Sequence, residues 1–173
     1  MGRMLIQETI NLDIDVHVLD PDENAPCKDI SHSFTHGSFK DYETVLAFGR
    51  NMDVVTIEIE HVNVEALEKL EKEGIRVYPQ PNVIKLIQDK GAQKEFYSEH
   101  GIPTSEYRLI AENETQNHTD FFPVFQKMRK GGYDGKGVQA LRSAEDVSKA
   151  FAEPSVLEKA VDLEKELSVI VAR

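Results

Sequence analysis

The stretch from Asp53 to Pro79 constrains the fold more than any other. "DVVTIEIEH" is rich in β-branched residues and reads as a strand, and "NVEALEKLEKEG" puts Val64, Leu67 and Leu70 on one helical face before Gly74 ends it. "IRVYP" follows as a short strand. Upstream, "LDIDVHVLD" spaces Leu12, Ile14, Val16 and Val18 at period two before the Asp20-Pro21 break, and "DYETVLAFGR" spaces Tyr42, Val45, Leu46 and Gly49 like a short helix. Strands separated by helical crossovers predict an α/β fold with a parallel, doubly wound sheet. Such a domain normally opens with a buried strand and a glycine-rich turn, whereas "MGRMLIQETI" starts in a helical pattern, so the first strand is expected to be missing.

From Pro79 the texture changes, which places a domain boundary near Pro81 and gives expected domains 1–80 and 81–173. Two helical pieces, the second ending near Gly101-Ile102-Pro103, precede an expected strand at "FPVFQKM", a glycine loop and a strand at "VQAL". A helix opening at Ser143, with Asp146 in near capping-box spacing, and strands at "SVLEKA" and "ELSVIVAR" complete the expected order. The last strand reaches Arg173 without a turn, so the chain is expected to be incomplete there too.

Composition narrows the classes of partner. With 31 acidic and 20 basic residues the formal charge of the 173-residue chain is -11, which disfavours nucleic acid. No apolar run is long enough for a membrane helix, and no secretory signal is evident. Cys27 is the only cysteine, which fits a reducing compartment, the cytoplasm. His32 and His36 stand near Cys27 in zinc-like spacing, but the surrounding loop residues favour ordinary surface. Asp20 after its strand would suit a ribose only beside a glycine fingerprint, which is lacking.

The chemistry concentrates in "KGGYDGKGV", Lys130 to Val138, with four glycines, two lysines and one aspartate in nine residues. Between two strands it becomes a hairpin loop. Glycines let the main chain approach a ligand and turn successive N–H groups to one side, and Lys127 and Lys136 supply positive charge for a polyphosphate. The loop matches neither a Walker A nor a Rossmann fingerprint, and a mobile hairpin tip is the alternative.

These residues resemble a family. "FPVFQKMRKGGYDGKGVQAL" followed by "VLEKAVDLEKELSVIVAR" is similar to the central part of ATP-grasp enzymes. "VVTIEIEHVNVEALEKLEKEGIRVYPQPNVIKLIQDKGAQKEFYSEHGIPTSEY" resembles the 5-(carboxyamino)imidazole ribonucleotide synthases among them. The resemblance implies a truncated pre-ATP-grasp domain followed by part of an ATP-grasp domain. It implies carboxylation of 5-aminoimidazole ribonucleotide by ATP and bicarbonate, through carboxyphosphate, in de novo purine biosynthesis. Lys90 and Lys127 would contact ATP phosphates, and Gly132, Tyr133, Asp134, Gly135, Lys136, Gly137 and Val138 would form the loop that covers them. Glu158, Lys159, Ala160 and Val161 would meet the adenine, and Glu166 the ribose hydroxyls. Tyr133, Asp134 and Lys136 would also face the ribonucleotide and bicarbonate, with Asp134 and Lys136 catalytic, and Glu58 would stand on the substrate side. Mg²⁺ ligands are expected beyond Arg173, none in this chain, so the isolated 173 residues are expected to show no turnover. A homodimer is a further implication. A formate-dependent transformylase of the same fold and a non-catalytic nucleotide-binding module stay open as alternatives.

Overall fold

In a computed structural model, which describes residues 2–132 and 135–171, the chain begins with α1 (Gly2–Thr9) and a 3-10 turn at Ile10–Leu12. Strands β1 (His17–Asp20) and β2 (Ser33–His36) and helix α2 (Tyr42–Gly49) follow. Then come β3 (Val54–Thr56), α3 (Val64–Lys72), β4 (Arg76–Tyr78) and α4 (Pro81–Ile87). The strands pair in parallel, β3 with β4 across the helical crossover α3 as the sequence predicts, and β1 with an unexpected β2 that no helix joins to it. Among the described residues the two pairs do not share one hydrogen-bonded sheet.

Local chemistry sets these elements. Asp41 accepts a hydrogen bond from the Thr44 amide at 2.8 Å and starts α2, and Asn63 does the same for Ala66 at 2.9 Å to start α3. Gly74, at φ +92°, ends α3 as the sequence predicts. Val45 and Leu46 of α2, Leu67 and Leu70 of α3, Val55 of β3 and Val77 of β4 form the core. Gly49 permits the approach of α2 to α3, since a Cβ there would lie 2.3 Å from Leu70 Cδ1.

Three sequence expectations need correction in this region. The strand expected from Leu12 begins only at His17, because Asp13 takes a left-handed conformation, φ 53°, that breaks the extended run. The strand expected over Asp53–His61 is confined to Val54–Thr56, the length over which β4 supplies a ladder. β2 lies in a stretch read as loop, where "SFTH" is too short and too exposed to show alternation.

The chain divides into two units, Met1–Gln88 and Asp89–Arg173, and α4 lies in the first. The second contains α5 (Lys90–Glu99), β5 (Tyr107–Ile110), a 3-10 turn at Thr115–Phe121, β6 (Val124–Met128), β7 (Val138–Leu141), a 3-10 turn at Ala144–Lys149 and β8 (Ser155–Lys159). Its sheet is antiparallel in the order β5-β8-β6-β7. Ile110, Phe121, Val124, Leu141 and Leu157 pack on one side of it.

Beside this apolar cluster sits Gln126, fully buried. Its amide donates to Thr115 Oγ1, the Phe151 carbonyl and Ser155 Oγ, and accepts from the Phe151 amide at 2.8 Å. The helix expected from Ser143 is a 3-10 turn without a Ser143 side-chain cap, and Asp146 instead accepts from the Arg142 amide at 2.8 Å. The strand expected over "ELSVIVAR" is not formed in the described part, 166–171. That segment pairs with neither edge strand, so no ladder holds its apolar residues, and Ile170 is 94% exposed.

Gln126→Leu keeps the volume but strips the Phe151 amide of its acceptor. The expected loss is about 1–3 kcal/mol, the cost of an unsatisfied buried group, read as a lower denaturant midpoint by a probe in the second unit. An unchanged midpoint would contradict the role assigned to this amide.

Candidate functional site

Strand β8 lies between β5 and β6, and this places Glu158 in the middle of a sheet face. Glu158 stands opposite Tyr107 of β5 and Phe125 of β6, with Lys127 its diagonal neighbour two residues further along β6. Lys127 Nζ donates to Glu158 Oε2 at 2.7 Å. The other oxygen, Oε1, accepts from Ser105 Oγ at 2.6 Å and lies 3.1 Å from Lys94 Nζ. Lys94 reaches there from α5 and also donates to Thr104 Oγ1. The side chains are 10% exposed at Lys94, 18% at Glu158 and 32% at Lys127. Burial pushes the Glu158 carboxyl up, but the bonds from Lys127, Ser105 and Lys94 outweigh it and hold it down at about 2.

A second ion pair fixes the base of the glycine loop. Asp89 caps α5 by accepting from the amides of Gly91 and Ala92, and the same carboxylate takes Arg129 in a fork, at 2.9 and 3.0 Å. Burial raises the Asp89 carboxyl, while Arg129 and the two amides bring it below its ordinary range. The Lys90 amide donates to the Arg129 carbonyl at 2.9 Å, and Lys90 Nζ to the Gly132 carbonyl at 3.2 Å. The loop then folds closely on itself. A Cβ on Gly132 would stand 2.7 Å from the Lys136 carbonyl, and one on Gly137, at φ +75°, would stand 2.9 Å from Gly132 Cα.

The structure therefore gathers Lys90, Lys127, Gly132, Gly137 and Glu158 around the root of the β6–β7 hairpin. Gly135 and Lys136 lie in the turn, and Val138 begins β7. Tyr133 and Asp134 lie outside the described residues. Lys159 turns its ammonium to the carbonyls of Phe121 and Phe122, at 2.9 and 3.2 Å. The Ala160 amide donates to the Pro123 carbonyl, while Val161 and Glu166 are exposed in the irregular segment that follows. Glu58 belongs to the first unit. There it lines a cavity of about 640 Å³ with Arg3, His17, Val18, Val55 and Ile57.

Sequence reasoning missed Lys94, Ser105 and Asp89, and with Asp89 the ion pair that Arg129 makes. Lys94 is one helical turn beyond Lys90, and that spacing was the available signal. Among the described residues no helix is long and apolar enough to cross a membrane, and no cluster of three or more histidine, cysteine or acidic residues could hold a metal.

What this arrangement offers is a charged, glycine-walled cradle suited to phosphate oxygens. Residues 1–88 match the ribonucleotide synthetase preATP-grasp domain, and residues 95–173 match the ATP-grasp domain. The chain belongs to the ribonucleotide synthetase preATP-grasp family. Among its relatives, the chloroplastic phosphoribosylaminoimidazole carboxylase of Vigna aconitifolia is 37% identical over 180 residues, covering 100% of this chain and 32% of that protein. The carboxyaminoimidazole ribonucleotide synthase of Aspergillus clavatus, solved with ATP, superposes with a TM-score of 0.86 at 35% identity, over 94% of this chain and 45% of that one. The N5-carboxyaminoimidazole synthase of the same organism, solved with ADP and 5-aminoimidazole ribonucleotide, gives a TM-score of 0.83 at 33% identity, over 94% and 44%. The chain thus spans about a third to a half of these ATP-grasp relatives.

Glu158 has a testable acid signature. Its carboxyl titrates at about 2 when folded, against an ordinary 4.5. Its stabilising contribution is therefore complete above the higher value and is lost as pH falls through the lower one. Glu158→Gln should make the fall in unfolding midpoint across that window shallower than in the unsubstituted chain. Identical slopes would show that Glu158 is not held as described.

Proposed function

We propose that the chain carries the substrate-side domain and the first part of the nucleotide-binding domain of a 5-(carboxyamino)imidazole ribonucleotide synthase. In this reading it takes part in the carboxylation of 5-aminoimidazole ribonucleotide by bicarbonate at the expense of ATP, a step of de novo purine biosynthesis. The observation that carries the reading is the root of the β6–β7 hairpin, where Lys127 pairs with Val138, Lys90 donates to the Gly132 carbonyl, and Gly132 and Gly137 pack closely. Lysine ammoniums act as point charges on phosphate oxygens, and the glycine backbone can approach them closely.

The residues fit a nucleoside triphosphate in their donor chemistry. Lys90 and Lys127 would hold the phosphates, Gly132 to Val138 would cover them, and the β8 end from Glu158 to Val161 would meet the base. Glu166 is assigned to the ribose, Glu58 to the ribonucleotide side, and Tyr133, Asp134 and Lys136 to the meeting point of loop and substrate. Mg²⁺ would neutralise phosphate charge in the transferring group, with ligands supplied from outside residues 1–173. A cytoplasmic setting and a homodimer complete the proposal.

Calorimetry with ATP tests it. The chain should bind ATP, and Lys127→Ala should weaken binding roughly 10–150-fold, the value of one hydrogen bond to a charged group. Undiminished binding in the variant would remove Lys127 from the phosphate site.

A further inference from the structure

Three groups hold the Glu158 carboxylate, and they are not equivalent. Oε1 takes Ser105 and Lys94, and Oε2 takes Lys127. Lys127 is the most exposed of the two lysines, at 32% against 10% for Lys94. Lys94 is fixed on several sides: by Thr104 Oγ1, by Glu158, by Ser105 Oγ at 3.5 Å, and by the Tyr107 ring, whose centroid lies 5.7 Å from its ammonium. One lysine can swing away, and the other cannot without leaving its ammonium unsatisfied.

We propose that Lys94 is a positioning residue for the nucleotide site: it keeps Glu158 ionised and in place when Lys127 leaves that carboxylate for a phosphate. The proposal rests on the reading that Lys127 binds nucleotide phosphate. Glu158 holds the Lys127 ammonium at 2.7 Å, on the strand position that pairs with Val138 where the hairpin begins. Phosphate then competes with Glu158 for the same ammonium. A half-buried carboxylate that lost its sole cation would take up a proton or seek the departing lysine again. With Lys94 stationary on Oε1, the charge stays compensated and the exchange costs one hydrogen bond rather than an isolated buried charge. The charged and titratable groups facing Glu158 are Lys94 from α5, Tyr107 from β5 and Lys127 from β6, with Ser105 beside them. The cations among them are therefore the transferable one and the fixed one.

The test needs no nucleotide in its first arm. Lys127→Ala imitates the departure of the mobile lysine, and the Glu158 carboxyl is followed by its carbon-13 chemical shift as pH is lowered. Glu158 should still titrate below its ordinary 4.5 in Lys127→Ala. It should move above that value when Lys94→Met is added, and return below it with Lys94→Arg in place of Lys94→Met. The inference falls if Lys127→Ala alone carries Glu158 above the ordinary value, or if adding Lys94→Met leaves the titration where it was. Because Lys127→Ala touches only a partly exposed side chain, that variant can overturn the inference even where Lys94→Met does not fold.

The second arm measures ATP affinity at pH 8 and pH 6. In Lys94→Met, Glu158 must gain a proton as Lys127 leaves, so ATP should bind more weakly than to the unsubstituted chain at pH 8 and recover towards it at pH 6. Lys94→Arg should show no such recovery. A parallel pH response in Lys94→Met and the unsubstituted chain overturns the inference. If the unsubstituted chain binds no ATP at all, the proposed function fails, and the carboxyl titration still decides the role of Lys94.

Discussion

A carboxylate on the central strand of the second unit's sheet organises the site. Glu158 sits where β8 is flanked by strands on both sides, so its charge is partly withdrawn from water and must be compensated by protein. The compensation comes from three chain segments that are distant in sequence: α5 through Lys94, the segment before β5 through Ser105, and β6 through Lys127. Removing both lysines would leave a buried charge without a compensating cation. The position of α5 over the sheet and the direction of Lys127 are in this sense consequences of one side chain.

The same logic recurs at the loop root. Asp89 both caps α5 and holds Arg129, so the helix start and the strand end share a carboxylate. From there Lys90 reaches the Gly132 carbonyl, and the glycines allow the hairpin to fold back without a Cβ in the way. The Asp89–Arg129 pair before the loop and the β6–β7 ladder after it thus hold the two ends of a short glycine-rich span. A span held at both ends in this way can move as one piece.

Much of this was legible in the sequence, for identifiable reasons. α3 announced itself because Val64, Leu67 and Leu70 repeat at helical spacing between Asn63 and Gly74. The β6–β7 hairpin did so because two apolar strands bracket a glycine cluster. The failures arise where tertiary pairing decides. Leu12 and Ile14 alternate like a strand yet lie beyond the ladder that β2 offers, and the apolar run ending at Val171 has no ladder partner among the described residues. Lys127 and Glu158 were named singly, but their contact depends on the antiparallel register of β6 and β8, which no local pattern encodes. Ser105 was invisible for the same reason, since a serine in a loop carries no signal until β8 is placed beside it, and Lys94 offered only its spacing of one helical turn from Lys90.

The central claim is that the root of the β6–β7 hairpin is the nucleotide site of this chain. Amide chemical-shift mapping during an ATP titration tests it residue by residue. The account predicts changes concentrated at Lys90, Lys127, Gly132, Gly135 to Val138 and Glu158 to Val161, with the amides of the first unit's core silent. Changes centred instead on the cavity that Glu58 lines would contradict it, as would uniform small shifts with no focus at the hairpin.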